Sequence, residues 1–144
     1  MGAITKIRWG RVVLAAVLAE AAVILLLLAV VTVYSVVISP GLTTDEYDVF
    51  GQDAGYYVAP AAAAGATFLM VLWVARALDS GFVANGLMVG LVGVLLTVGF
   101  VFGARPEDRL MYGVSFALRI VGGYAGGIVA QRLRGRPSSA RRPV

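Results

Sequence analysis

The chain has 144 residues, of which 60% are hydrophobic and only 14% charged, where an ordinary soluble domain carries about a quarter of its residues as charges. The apolar residues run in long unbroken blocks rather than amphipathic stripes, so the sequence asks for a lipid solvent and argues against a water-soluble fold. Cysteine and histidine are both absent, which excludes disulfides, thiol catalysis and the usual zinc and haem ligands. The formal charge of +4 sits on basic residues that flank the apolar blocks, a pattern of membrane orientation rather than nucleic-acid binding.

The first block, 12–38, has Glu20 as its only charge and is long enough to span a bilayer with some tilt. Lys6, Arg8 and Arg11 precede it as in a secretory signal, but the apolar core is far longer than a cleavable signal uses and no convincing A-x-A site follows. Retention of the segment is expected. Ser39, Pro40 and Gly41 end the span. The stretch 42–54 then carries Asp45, Glu46, Asp48 and Asp53 with no Lys or Arg and reads as an exposed acidic loop. Its acids do not have calcium-loop spacing, so solvation rather than metal binding is expected of them.

The second block, 56–78, opens with Tyr56 and Tyr57 at the interface, has Pro60 near its start and closes with Trp73 and Arg76. Asp79, Ser80 and Gly81 leave only a short turn, which makes the third block, 82–102, the return arm of a helical hairpin. A polar loop, 103–108, leads to the fourth block, 110–130, which contains Arg119. The basic tail 134–144 reads as disordered.

These elements predict an all-α membrane four-helix bundle, antiparallel and up-down-up-down, forming one domain over 1–133. Lys6, Arg8, Arg11, Arg76, Arg132, Arg134, Arg136, Arg141 and Arg142 fall on one side, against Arg105 and Arg109 on the other. The excess of Lys and Arg places both termini in the cytoplasm of a multi-pass protein of the cell (inner) membrane.

Two charges lie inside spans. An ionised carboxylate at depth is expensive unless it is paired, hydrated or protonated, and an arginine cannot deprotonate to escape the same cost. Glu20 stands roughly 13 Å of helix from Arg11 and Arg119 roughly 20 Å from Arg132, a depth difference of about 6 Å that an arginine can largely span. A Glu20–Arg119 pair is therefore expected. It reads either as a buried electrostatic clip between the first and fourth helices or as a titratable carboxylate on an ion or substrate path with Arg119 as its counter-charge.

Small residues recur at helical spacing: Gly86 with Gly90, Gly99 with Gly103, and Gly122, Gly123, Gly126 and Gly127 as two overlapping G-x-x-x-G pairs, with Ala61 and Gly65 adding to the series. Lipid gives helices no hydrophobic drive to associate, so such grooves promote close packing inside the bundle or form a homo-oligomer seam. Asn85, Thr97, Tyr112, Ser115 and Tyr124 are further polar groups at depth.

No Walker sequence, G-x-S-x-G elbow or H-E-x-x-H motif occurs. The expectation is a non-catalytic membrane subunit, assembly partner or scaffold without cofactor or metal, with a small oligomeric transporter or channel coupled through Glu20 as the alternative. The expected partners are the lipid bilayer, a homo-oligomer or larger membrane complex, and anionic lipid at the C-terminal arginines, with no nucleic acid.

I-R-W-G-R-V-V-L at 7–14 and L-R-I-V-G-G-Y-A-G-G-I-V-A-Q-R-L-R at 118–134 resemble uncharacterised small four-helix bacterial membrane proteins, a likeness that implies a layout and no activity. L-A-E at 18–20, a lone glutamate in the first of four short helices, resembles the small multidrug resistance transporters. That resemblance implies a dimer in which Glu20 binds protons and cationic drugs. The family's A-x-A-x-W pattern in the third helix has no counterpart here, the acidic first loop is longer, and Arg119 is an added charge.

Overall fold

The computed structural model describes residues 7–103 and 109–134; Lys6, Arg105 and the tail from 135 onward lie outside them. All the described elements are helical. Helix α1 spans Trp9–Val33 and continues into one wider π turn, Tyr34–Ile38, closed by the Ser39 amide donating to the Tyr34 carbonyl at 2.9 Å. Helix α2 runs Thr44–Ala75, α3 Phe82–Thr97, the short α4 Gly99–Gly103 and α5 Arg109–Arg134. Four stretches, Trp9–Ile38, Thr44–Ala75, Phe82–Gly103 and Arg109–Arg134, are long and apolar enough to cross a membrane.

The acidic segment is a correction to the sequence reading. It is no loop but the first turns of α2, which begins well before the expected start at 56. A capping box starts the helix: the Glu46 amide donates to the Thr43 hydroxyl, and the Thr43 amide donates back to the Glu46 carboxylate at 2.8 Å. Asp45 and Glu46 also lie in the first turn, where the helix end carries partial positive charge. Aromatic packing then fastens this extension to α1. Tyr34 stacks on Phe50 with centroids 3.6 Å apart, Tyr47 meets Tyr34 edge-on, and the Tyr47 hydroxyl donates to the Ser39 carbonyl at 2.8 Å.

At the far end of α2 the chain turns through Gly81, whose φ of +74° suits a residue without Cβ. Asn85 organises this end: its amide donates to the Gly81 carbonyl at 2.9 Å and its oxygen accepts from the Arg8 amide at 3.0 Å. Arg134 donates to the carbonyl of Arg76 and to that of Ala75, which also accepts from the Leu78 amide at 3.1 Å.

Helices α1 and α5 each pack chiefly on α2 and α3. Around the bundle the order is therefore α1, α2, α5, α3, with α1 and α5 facing each other across a diagonal. Glycines on α5 make the two tightest seams. A Cβ on Gly123 would collide with the Gly86 carbonyl, one on Gly127 would lie 2.7 Å from the Val83 Cα, and one on Gly122 would lie 2.5 Å from the Ala64 carbonyl oxygen. Gly90 backs onto the Arg119 carbonyl and Gly126 onto Phe68. Gly99, Gly103 and Gly65 make no close packing inside the bundle, since nothing lies within 4 Å of a Cβ built at any of the three. Gly99 is nine residues from Gly90, which at about 3.6 residues per turn puts Gly99 on the opposite side of the third span from Gly86 and Gly90.

The glycine seams give a direct test. Gly86→Ala or Gly123→Ala should lower stability by about 1–3 kcal/mol through forced separation of backbones, read as an earlier midpoint in detergent-induced unfolding. Gly99→Ala, in open space, should stay within about 1 kcal/mol of the native chain.

Candidate functional site

The buried positions of α1 are Val12, Ala15, Ala16, Ala19 and Val23, a helical stripe of small side chains that puts Glu20 at its edge. On α5 the buried stripe is Ser115, Arg119, Gly122, Gly123, Gly126, Gly127 and Ala130, so Arg119 occupies a core position. The two charges meet. Arg119 Nη1 lies 2.8 Å from Glu20 Oε1 and Nη2 lies 2.9 Å from Oε2, a two-point ion pair whose side chains are 7% and 17% exposed for Arg119 and Glu20. Nη1 also donates to the Gly93 carbonyl at 3.1 Å and to the Thr97 hydroxyl at 2.5 Å, while that hydroxyl donates to the Gly93 carbonyl at 2.9 Å.

The depth difference expected between the two residues is closed at Gly93. Register here is set by where glycine lets backbones approach, with Gly90 against the Arg119 carbonyl, and not by the distance of each charge from the flanking basic residues. From that point the arginine side chain runs toward its own helix N-terminus and reaches Gly93 and Thr97. The carboxylate packs against this turn of α3: a Cβ on Gly93 would stand 3.4 Å from Glu20 Oε1, in ordinary contact. One polar atom stays unmatched, because Arg119 Nε is buried with no acceptor.

Beside the pair lies a cavity of about 690 Å³. Arg119 and Thr97 form part of its wall, Ser115, Phe116 and Tyr112 continue it along α5, and Tyr56, Ala59 and Pro60 supply the α2 side, with the exposed Gln52 and Asp53 also lining it. Glu20 does not line it. Pro60 has no N–H to give to the Tyr56 carbonyl one turn earlier, which leaves an acceptor without its helical donor on this wall.

Of the polar residues singled out in the sequence, Thr97, Ser115 and Tyr112 thus gather at the cavity, whereas Asn85 ties the ends of α1 and α3 and Tyr124 is 48% exposed. Asp45, Glu46 and Asp48 stand in the first turns of α2, and among the described residues no three His, Cys, Asp or Glu side chains cluster as metal ligands. Sequence reasoning missed Gly93 and the role of Thr97. The signal was their i, i+4 spacing, which puts a hydroxyl over the carbonyl one turn back. Comparison with protein-family models, with curated proteins and with solved structures finds no match.

A double-mutant cycle measures the pair. Arg119→Met leaves Glu20 uncompensated at depth and should cost about 3–5 kcal/mol, whereas adding Glu20→Leu should recover most of that loss. Additive losses in detergent-induced unfolding would show that the two residues are not coupled.

Proposed function

We propose that the chain is a multi-pass protein of the cell membrane that serves as a non-catalytic subunit or assembly partner. In this reading its spans run up-down-up-down with both ends in the cytoplasm. The contacts of Gly86 with Gly123 and of Gly90 with Arg119 support opposed directions for α3 and α5, and those of Ala64 with Gly122 and Phe68 with Gly126 support a common direction for α2 and α5. The Lys and Arg asymmetry supports the orientation. The likeness of the two chain ends to small four-helix bacterial membrane proteins agrees with this layout.

The observation that carries the role is that both buried charges are used on each other, with Gly93 and Thr97 completing the contact. The deep glycine faces are likewise filled by the chain's own helices, which argues for a rigid bundle. Its exposed apolar side chains on α1, among them Leu14, Leu18, Leu25 and Leu28, suit lipid or the apolar spans of a larger complex. Arg132, Arg134, Arg136, Arg141 and Arg142 suit anionic lipid heads.

A second reading, a small oligomeric transporter or channel coupled through Glu20, is favoured by one feature: the cavity ends on the partner of that carboxylate. The local likeness of L-A-E at 18–20 to small multidrug resistance transporters points the same way.

Two measurements separate the readings. In proteoliposomes, a subunit gives no proton or cation flux for the native chain or for Glu20→Gln, whereas flux in the native chain that Glu20→Gln abolishes establishes coupling. Because the chain has no cysteine, single cysteines report topology cleanly: Asp48→Cys should react with an impermeant maleimide on intact cells and Asp79→Cys only after permeabilisation. Reaction of both from the same side would rule out the up-down arrangement.

A further inference from the structure

The guanidinium of Arg119 is planar and presents five N–H groups in fixed directions. Nη1 and Nη2 each point one N–H at Glu20, and the other N–H of Nη1 turns to Gly93 and Thr97 on α3. What remains is one edge of the plane, made of Nε–H and the second Nη2–H. These two donors lie parallel, at the spacing of the two oxygens of a carboxylate. Nε has no acceptor in the bundle, although the side chain is only 7% exposed. Since Nη1 faces α3, the unused edge faces away from α3.

Arg119 lines the cavity, and at about 690 Å³ that cavity falls within the range of about 300–1,000 Å³ typical of small-molecule sites. Much of its wall is apolar or aromatic, with Leu27, Phe100, Met111 and Phe116 contributing. An occupant with an oxyanion head and an apolar body fits both features.

Charge narrows the class further. Glu20 and Arg119 already neutralise each other, so a bound anion leaves one net negative charge at depth. Among the described residues, no other cation lines the cavity to offset it. Glu20 is the only charge on α1 beyond Arg11, α3 and α4 have none, α2 has none between Asp53 and Arg76, and α5 has only Arg119 between Arg109 and Arg132. The remaining titratable groups on the wall are Tyr56, Tyr112 and the exposed Asp53, none of which adds positive charge. Neutrality is restored if one proton accompanies one monoanion, whereas a phosphate dianion would require two.

We propose that this cavity binds an apolar monocarboxylic acid, its carboxylate on the unused edge of Arg119, taken up together with one proton from solution that Glu20 accepts. The proposal holds whether the chain is a subunit or a transporter, because it concerns binding alone. The same head group can arrive from water or from the bilayer, so two probes are needed.

The test is calorimetric titration of the full chain in lipid nanodiscs with benzoate, a ligand from water, and with laurate, a ligand from the membrane. Saturable binding in at least one arm is expected, strengthening about tenfold for each unit fall in pH as one proton is linked to one anion. Ala59→Phe, which puts a ring into the α2 wall away from the ion pair, should abolish binding with the unfolding midpoint retained. Arg119→Lys keeps the charge without the paired donors and should weaken binding at least tenfold; if that variant does not fold, Ala59→Phe decides. The arm that binds identifies the source of the ligand. Absence of saturable binding in both arms, affinity independent of pH, or binding unchanged in a folded Ala59→Phe would overturn the proposal.

Discussion

The arrangement depends on one ion pair that crosses the bundle. Helices α1 and α5 sit on opposite corners, each resting on α2 and α3, so packing alone gives them little reason to hold a fixed relation. Glu20 and Arg119 supply it, with two contacts under 3 Å reaching over the diagonal. Neither charge is tolerable at this depth without the other, since an uncompensated ion in an apolar medium costs several kcal/mol and arginine cannot become neutral. The pair also recruits the third corner. Thr97 and the Gly93 carbonyl meet the arginine from α3, and the Glu20 carboxylate packs against Gly93.

Around this pair the bundle divides into two unlike halves. Toward the Asn85 end, α5 presents Gly122, Gly123, Gly126 and Gly127, and backbone meets backbone on both α2 and α3. Small side chains fill what is left: Val12, Ala15, Ala16 and Ala75 are among the most buried residues of the core cluster. Toward the Tyr112 end, large rings replace glycine, α3 ends at Thr97, and the helices leave a half-open cavity instead of a core. The close seam is a dispersion contact of the kind that can hold helices together in lipid, where burial of apolar surface offers no gain. The wide end is fastened by polar caps and by the Tyr34, Tyr47 and Phe50 cluster at the join of α1 and α2.

Much of this was legible in the residues, and the misses have physical causes. Four apolar blocks predict four long helices because the length of a span is fixed by bilayer thickness. Glu20 and Arg119 stood out because lone charges in such blocks demand an explanation. The segment 42–54 was misread because its acids and glycines imitate a loop. Thr43-x-x-Glu46 was nonetheless a capping signature, and Tyr47, Phe50 and Ala54 recur at helical spacing. Gly99 and Gly103 share the spacing of Gly86 and Gly90, but nine residues separate Gly90 from Gly99, which turns the second pair away from the face of the first. The cavity was invisible for a deeper reason: it is defined by the register of four helices, and register follows from contacts at Gly90, Gly122 and Gly123 that sequence alone does not pair.

The position of the cavity beside the pair bears on why an arginine, rather than a lysine, stands at 119. A lysine could neutralise Glu20 as a point charge, but its compact ammonium lacks the planar array that reaches Glu20, Gly93 and Thr97 at once. The same array exceeds what the bundle supplies: five donors face one carboxylate, one carbonyl and one hydroxyl, and Nε is the atom left over. An unmet donor at a buried site usually costs about 1–3 kcal/mol, so a fold selected for rigidity alone would gain from an acceptor within reach of that atom. Ala59 and Pro60 bring no charge and no side-chain hydrogen-bonding group to the wall that they share with Arg119. A bundle clipped by a buried ion pair therefore also keeps a cavity beside that pair, and the two properties meet in a single side chain.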